Sequence, residues 1–361
     1  MPPEVTVLMT VYNGEKYLRE SMDSILNQTF MDFEFLIIDD ASTDASCNII
    51  LSYNDPRIRL IENEKNVGQA ESLNRGLEKA KGKYIARMDQ DDICLPQRLR
   101  CQLDVMEQNP NVGVCGTFAQ FIDSNSKDII VKWNEEMMIE NEDLKTQLLF
   151  RPCFIHPSVI IRHSVLKNHH LCYEESAGHA QDYRLWYRIS SFCDFVNIPH
   201  KLIKYRLHKS QLSKNRQNDQ YISSNKTKKM ILKDYLGREI NEKEQSKHEK
   251  IPIAQHGSSL SEVNEAEDWL KFLMNHNEIN RKYKRTSLTK VLQNIWLLLC
   301  MNSSHLGMRL LKKYLSSVFW KFKIENLYQE MKLVFKCFIK YNVKLLAYDR
   351  TFQNQDLGLF E

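Results

Sequence analysis

Residues 84–92 read YIARMDQDD, an apolar run that ends in three carboxylates, Asp89, Asp91 and Asp92. A β-branched and aromatic entry followed by acids reads as a strand delivering side chains to its C-terminal end, the edge where open α/β sheets place their ligands. Carboxylates this close repel one another unless something cationic sits among them. Mg²⁺ or Mn²⁺, completed by oxygens of a substrate phosphate, would meet that need. A polar turn, where Asp is common, accounts for this stretch equally well when it is taken alone.

The same pattern of strand and polar turn recurs on either side. Residues 5–10 (VTVLMT) end at Tyr12-Asn13-Gly14, and residues 33–38 (FEFLII) end at Asp39-Asp40. Helical spacing over residues 15–28 and 69–81 separates these runs from further strands at 57–62 and 83–88. Strand, helix, strand, helix at this spacing predicts an α/β fold with a largely parallel central sheet flanked by helices. Its strand ends gather along one edge, so Tyr12, Asp39-Asp40 and residues 89–92 are expected to converge there, and a turn explanation must then hold several times over. Farther on, a helix is expected over 96–108, strands over 112–122 and 155–162, and a helix over 179–189 with Asp182 near its start and Leu185, Trp186 and Ile189 facing the core. From about residue 210 the pattern is helical and Lys-rich, with a polar linker around 237–262.

At 361 residues with 42% hydrophobic and 27% charged content, the chain has material for two globular domains. Its nine cysteines are odd in number and scattered, with no C-x-x-C pair, which points to reduced thiols in a cytoplasmic setting and away from disulfides or a zinc site. MPPEVTVLMTVYN has no basic region ahead of its apolar run, so no signal peptide is expected, and no apolar stretch is long enough to predict a membrane span. Residues 1–200 carry 20 Lys+Arg against 30 Asp+Glu, a net of −10; residues 201–361 carry 30 against 16, a net of +14. A basic second half suggests an anionic partner such as the inner face of a membrane or a charged saccharide lipid; a solvated lysine-rich helical face explains it as well. No nucleic-acid partner is expected, and self-association is left open.

Six fragments in order, VTVLMTVYNGEKYLRESMDSILNQTF, FLIIDDASTD, NVGQAESLNRGLEKAKGKYIARMDQDD, HPSVIIR, QDYRLWYRI and YRLHKSQLS, resemble the family 2 nucleotide-sugar glycosyltransferases of surface-polysaccharide synthesis, which have the Rossmann-like GT-A fold. The resemblance covers roughly residues 3–215. It implies a catalytic domain over 1–215, with a nucleotide-sugar half to about 110 and an acceptor half after it, followed by a basic α-helical extension over 216–361. By resemblance, Thr10, Val11, Tyr12 and Asp40 form a uridine pocket in which the ring stacks on the base and the carboxylate accepts from it. Asp89-Gln90-Asp91 corresponds to the DXD motif, with Asp91 on Mn²⁺ or Mg²⁺ and Asp89 and Gln90 at the donor. Asp182 corresponds to the general base of inverting members, held ionised by its helix dipole. Arg206 and His208 correspond to the lid, where Arg206 reaches the diphosphate and His208 completes the metal site. Gln181 and Arg184 stand where the family often has acids, and Arg184 is expected to bear on acceptor choice. His156 is expected on the acceptor side or in a structural role.

These matches imply transfer from a UDP-sugar to a saccharide or lipid-linked acceptor. A sugar-phosphate nucleotidyltransferase would need a glycine-rich phosphate loop after the first strand, which VYNGEKY lacks. A non-catalytic nucleotide-sugar binder would have no use for both Asp91 and Asp182. In the tail, Trp269, Leu270, Phe272 and Leu273, then IWLLLC at 295–300 and the Lys-interleaved stretches to about 346, are expected as amphipathic helices that meet either a core or a membrane surface.

Overall fold

The computed structural model describes residues 2–130, 138–209, 211, 217–253, 259–321 and 327–338. These described residues divide into two compact units, those within 2–148 and 152–224 and those within 149–151 and 225–338. In the first unit, β1 (Val5–Val11), β2 (Phe33–Asp39), β3 (Ile58–Glu62) and β4 (Tyr84–Asp89) lie in the order β3-β2-β1-β4, and every pairing is parallel. β1 and β2 are buried at every position, because helices α1 (Glu15–Leu26), α2 (Ser46–Leu51) and α3 (Gln69–Lys79) connect the strands and cover them. This is why both strands are mostly apolar without alternation, and why Thr6 and Glu34, which are buried, hydrogen-bond to each other. Helix α1 turns Tyr17, Leu18, Ser21, Met22 and Ile25 inward at helical spacing.

Beyond β4 the direction changes. β8 (Ile160–Arg162) runs antiparallel to β4 and to β6 (Val112–Ile122), and β9 (Asp194–Arg206) runs parallel to β6. The two-residue strands β5 (Ile93–Cys94) and β7 (Asp128–Ile129) pair antiparallel with β9 and β6. Helices α4 (Arg98–Gln108), α5 (Asn141–Gln147), α6 (His163–Asn168) and α7 (Gln181–Ile189) complete the unit. The strand expected over 155–162 is instead a 3₁₀ turn at His156–Ser158 followed by three residues of β8.

At this short, mixed join two fully buried side chains of α4 donate to backbone carbonyls. Arg98 Nη2 donates to Arg87 O at 2.8 Å and Val159 O at 3.1 Å, and Gln102 Nε2 donates to Cys115 O at 2.7 Å and Ser158 O at 2.9 Å. A buried carbonyl without a donor costs about 1–3 kcal/mol, so the arginine is the mortar of the join.

The second unit is helical, with α8 (Gln217–Leu236) entering it at Asn225, then α9 (Glu242–Ile253), α10 (Leu260–Asn280), α11 (Arg285–Asn302), α12 (Met308–Ser316) and α13 (Leu327–Phe338). Helix α9 occupies part of the span expected as linker; residues 254–258 of that span lie outside the described residues. Trp269, Leu270 and Leu273 of α10 are buried, as are Ile295, Trp296, Leu299 and Cys300 of α11, so these residues are core, while Phe272 of the expected α10 stripe is exposed. Residues 322–326 and 339–361 of the expected amphipathic tail lie outside the described residues. No described helix is long and apolar enough to cross a membrane. None of the nine cysteines is in a disulfide.

Candidate active site

Register aligns the strand ends, with Val11 opposite Asp39 and Thr10 opposite Asp89. At this edge the Tyr12 ring is 47% exposed while its backbone is clamped. Tyr12 N donates to Gln90 Oε1 at 2.9 Å, and Gln90 Nε2 donates back to Tyr12 O at 3.1 Å. Gly14 makes room for that clamp, since a Cβ there would lie 2.5 Å from Gln90 Oε1. Gln90 thus aims its amide at protein backbone, not at a ligand. Val11 is fully buried and its carbonyl accepts from Asp40 N at 2.7 Å. It offers no side-chain surface to a base, contrary to expectation, because β1 is covered on both faces. Thr10 is also buried.

Asp40 is the hub of the β3–α3 loop. Its Oδ1 accepts from Asn63 Nδ2 at 2.8 Å and Val67 N at 2.9 Å, and its Oδ2 accepts from Gly68 N at 2.8 Å. One acceptor direction remains on Oδ2. Gly68 sits at φ 89°, a conformation that favours glycine. Asp39 Oδ2 accepts from Ser42 N at 3.0 Å, while its buried Oδ1 has no hydrogen-bond partner among the described residues. The start of α1 is filled by the loop after β2: Asn13 N donates to Ser42 Oγ, Gly14 N to Ser46 Oγ and Glu15 N to Asp44 Oδ2, at 2.9–3.0 Å. These amides are therefore not an anion cradle.

The acids after β4 fall into different surroundings. Asp89 Oδ1 is 2.5 Å from Nη2 of the buried Arg87; burial raises its carboxyl and Arg87 opposes the rise. Asp92 Oδ1 accepts from Arg206 N at 2.8 Å, its buried Oδ2 has no hydrogen-bond partner among the described residues, and burial with the neighbouring Asp91 and Asp89 pushes it well above the usual carboxylate range. Asp91 Oδ2 meets His208 Nε2 at 2.8 Å. Arg206, expected on the diphosphate, is 1% exposed and engaged by protein. It donates to Asp91 O, Asp123 O, Ser126 Oγ and Glu20 Oε2, at 2.5–3.3 Å, and covers the Tyr17 ring at 4.5 Å. Four of its five N–H donors are thereby used, and the residue ties the end of β9 to the acidic loop. Lys16 is exposed, with its ammonium over the same Tyr17 ring at 4.8 Å, and the His208 ring lies 4.8 Å from it as well.

Asp182 is in the first turn of α7, brought to the site by the 3₁₀ segment Glu175–Ala180. Burial raises its carboxyl to about 6, the Asp89 carboxylate adds to the rise, and Arg87 and the backbone amides of Asp182 and Tyr183 oppose it. Burial thus outweighs the helix dipole that was expected to hold the group at an ordinary value. Beside it, His156 Nε2 is 3.0 Å from Tyr173 OH, and burial and the Arg87 cation hold the imidazole well below its usual range. Tyr173 is raised by burial and feels both Asp182 and Asp89. Asn74 of α3 pins the Tyr173 backbone with reciprocal hydrogen bonds of 2.8 and 2.9 Å, and Gln181 Nε2 donates to Gln69 Oε1 at 2.9 Å. Arg184 is tied to Glu174 at 3.2 Å and Ser176 Oγ at 3.1 Å, so it braces the loop before α7.

Arg87, Tyr173, Asn74, Asn63 and Lys16 are participants that sequence reading missed; only Arg87, a cation inside a buried strand, carries a signal in the sequence. Among the described residues no three His, Cys, Asp or Glu side chains converge to hold a metal by themselves. Asp91 and His208 offer an oxygen and a nitrogen at one point, next to a cluster of buried acids with too few cations, and this donor set suits a divalent ion whose remaining ligands come from a substrate.

Residues 6–169 match the model of glycosyl transferase family 2. An uncharacterized glycosyltransferase of Haemophilus influenzae is 33% identical over 246 residues, which span 65% of this chain and 75% of the relative. The O-antigen biosynthesis glycosyltransferase WbnJ of Escherichia coli is 33% identical over 219 residues, 58% of this chain and 82% of the relative. Among solved structures, S. aureus TarS 1-349 in complex with UDP-GlcNAc superposes with a TM-score of 0.55 at 17% identity, over 82% of this chain and 90% of that one. The mannosyltransferase PcManGT of Pyrobaculum calidifontis with GDP-Man and Mn²⁺ gives 0.52 at 14% identity, over 92% and 88%. The fold is that of the GT-A glycosyltransferases, and the chain is a glycosyltransferase belonging to family 2.

Proposed function

We propose that the protein is an inverting, metal-dependent enzyme that moves a sugar from UDP to a saccharide or lipid-linked saccharide of the cell surface. The observation that carries this reading is the pairing of Asp91–His208 at the acidic loop with Asp182, a carboxyl raised to about 6, across the ion pair of buried Arg87 with half-buried Asp89. One side can bind a diphosphate and the other can take a proton from an acceptor hydroxyl. Mn²⁺ or Mg²⁺ held by Asp91 and His208 would supply Lewis-acid stabilisation of the leaving diphosphate. The chain's own residues do the rest. Tyr12 offers an exposed ring for the base, and Asp40 keeps one acceptor direction for the single imide N–H of uracil. Asp89, fixed by Arg87, faces the donor. Lys16 supplies the diphosphate cation in place of the engaged Arg206. Asp182, above its pKa at neutral pH, removes the acceptor proton as the hydroxyl attacks the anomeric carbon from the face opposite the diphosphate. His156 and Tyr173 line the acceptor side.

TarS and PcManGT were solved with different nucleotides, so fold likeness does not choose the base. Calorimetric titration with UDP and GDP in Mn²⁺ tests the donor: UDP should bind at least about tenfold tighter, and equal or reversed affinity overturns the uridine assignment. Proton NMR of the first product formed reads the anomeric configuration; retention of the donor's configuration removes Asp182 as the base of an inverting displacement.

A further inference from the structure

Of the apolar stripes in the basic half of the chain, those on α10 and α11 are core apart from Phe272, but α13 has a second one. Its buried seam is Leu333 and Cys337. Its other side presents Leu327, Met331, Val334 and Phe338 at helical spacing, joined by Tyr328 and Phe335, all exposed, with Met331, Phe335 and Phe338 at 63–65%. Monomeric soluble proteins scatter exposed apolar side chains singly; a contiguous stripe signals a covered surface. Arg309, Lys312, Lys313, Lys321, Lys332 and Lys336 are the cations of the described residues from 308 to 338; Lys313 pairs with Glu267 at 2.5 Å, and Glu330 is the single acid of this span, itself accepting from Tyr314 OH at 3.1 Å. A second copy of this chain would bring like charges together across a two-fold contact. An anionic surface would not.

We infer that α13 lies in the interface of an anionic phospholipid bilayer, with Leu327, Met331, Phe335 and Phe338 entering the boundary between headgroups and acyl chains and the flanking cations meeting lipid phosphates. Twelve residues span about 18 Å, which suits a helix lying in the plane and is too short to cross. This holds the enzyme against a surface whatever its donor, so the inference stands or falls independently of the proposed reaction.

The test is flotation of the full chain with vesicles of phosphatidylcholine alone or mixed with phosphatidylglycerol. The wild type should float with the mixed vesicles, and less so as salt rises. The Phe335→Ser/Phe338→Ser variant should lose roughly a hundredfold in partitioning, as expected for two aromatic side chains left in water, with circular dichroism and donor hydrolysis unchanged. Lys332→Gln/Lys336→Gln should weaken binding to mixed vesicles alone. The inference is overturned if the wild type stays with neither vesicle, if it binds both equally at all salt concentrations, or if the double Phe variant floats like the wild type. Sedimentation velocity showing a dimer that the Phe variant abolishes, without vesicle binding, would assign the face to a second copy and equally overturn it.

Discussion

Replacing Asp182 with Asn should cost activity and increase stability, with a pH signature that ties both to one group. The Asp182 carboxyl is lifted from 3.8 to about 6 chiefly by burial. Its proton is therefore held about 3 kcal/mol more tightly in the fold than in the unfolded chain. The sign follows directly. Below about pH 4 the group is protonated in both states and contributes nothing. Between 4 and 6 the unfolded chain gives up its proton while the fold keeps it. Above about 6 the buried carboxylate imposes its full penalty on the native state.

Asn keeps the shape and can still accept from the amides of Asp182 and Tyr183 without carrying charge. The variant should consequently be more stable than wild type by roughly 2–3 kcal/mol at pH 7.5, a rise of about 5–10 °C in the melting temperature of the catalytic unit, and by almost nothing at pH 4. Transfer should fall by a factor of about 10²–10⁴ with UDP binding retained. Scanning calorimetry at the two pH values and a coupled UDP-release assay give both readouts. A variant that is less stable than wild type at pH 7.5, or equally stabilised at both pH values, would refute the burial argument.

Wild-type transfer should also fall tenfold per pH unit below about 6 as Asp182 protonates, a limb to be read from kcat/KM against pH. Tyr12→Ala should weaken UDP binding by about 1–1.5 kcal/mol without changing the metal titration, whereas Tyr12→Phe should leave it unchanged, by calorimetry. Asp91→Ala and His208→Ala should each abolish the Mn²⁺ dependence of UDP binding. Arg206→Ala leaves the partly exposed Glu20 and the half-buried Asp91 and Asp123 carbonyls without their donor, and should lower stability by roughly 1–3 kcal/mol; Lys16→Ala should instead raise KM for the donor at unchanged melting temperature.

The contrast between Arg206 and Lys16 shows where reading the sequence succeeds. The parallel half was legible because each strand is a short, mostly apolar run and those of β2 and β4 end in acids, so Asp39, Asp40 and Asp89 could be placed on one edge from order alone. Asp182 was legible as a first-turn acid ahead of an apolar face. Whether an arginine near a site faces ligand or protein depends on partners such as Glu20 and Ser126, which lie 186 and 80 positions away from Arg206 and carry no mark in its local sequence. The 3₁₀ turn at His156–Ser158 was read as strand because Pro157 is followed by an unbroken β-branched run.

The least legible part of the molecule is also what makes the site. A sheet that stayed parallel past β4 would need a full crossover to each next strand and would return every chain end to the same edge. The reversal at β8 instead brings residues 155–159 back across the end of β4, with Arg87 N donating to Val159 O at 2.9 Å, and so sets His156 beside the acidic loop. Around that reversal the carbonyls of Arg87 and Val159 accept from Arg98 and those of Cys115 and Ser158 from Gln102, Val159 O in addition to its bond from Arg87 N. Arg87, held by its backbone in this network, presents its guanidinium to Asp89 and its field to Asp182 and His156. Arg98→Leu should accordingly act at a distance: with the carbonyls of Arg87 and Val159 deprived of the Arg98 donor, the Arg87–Asp89 pair loses its fixed position, and kcat should fall while UDP affinity, which the proposed function assigns to Tyr12 and Asp40, changes little. If instead UDP affinity falls and kcat holds, the join supports the nucleotide end of the edge and not the reacting one.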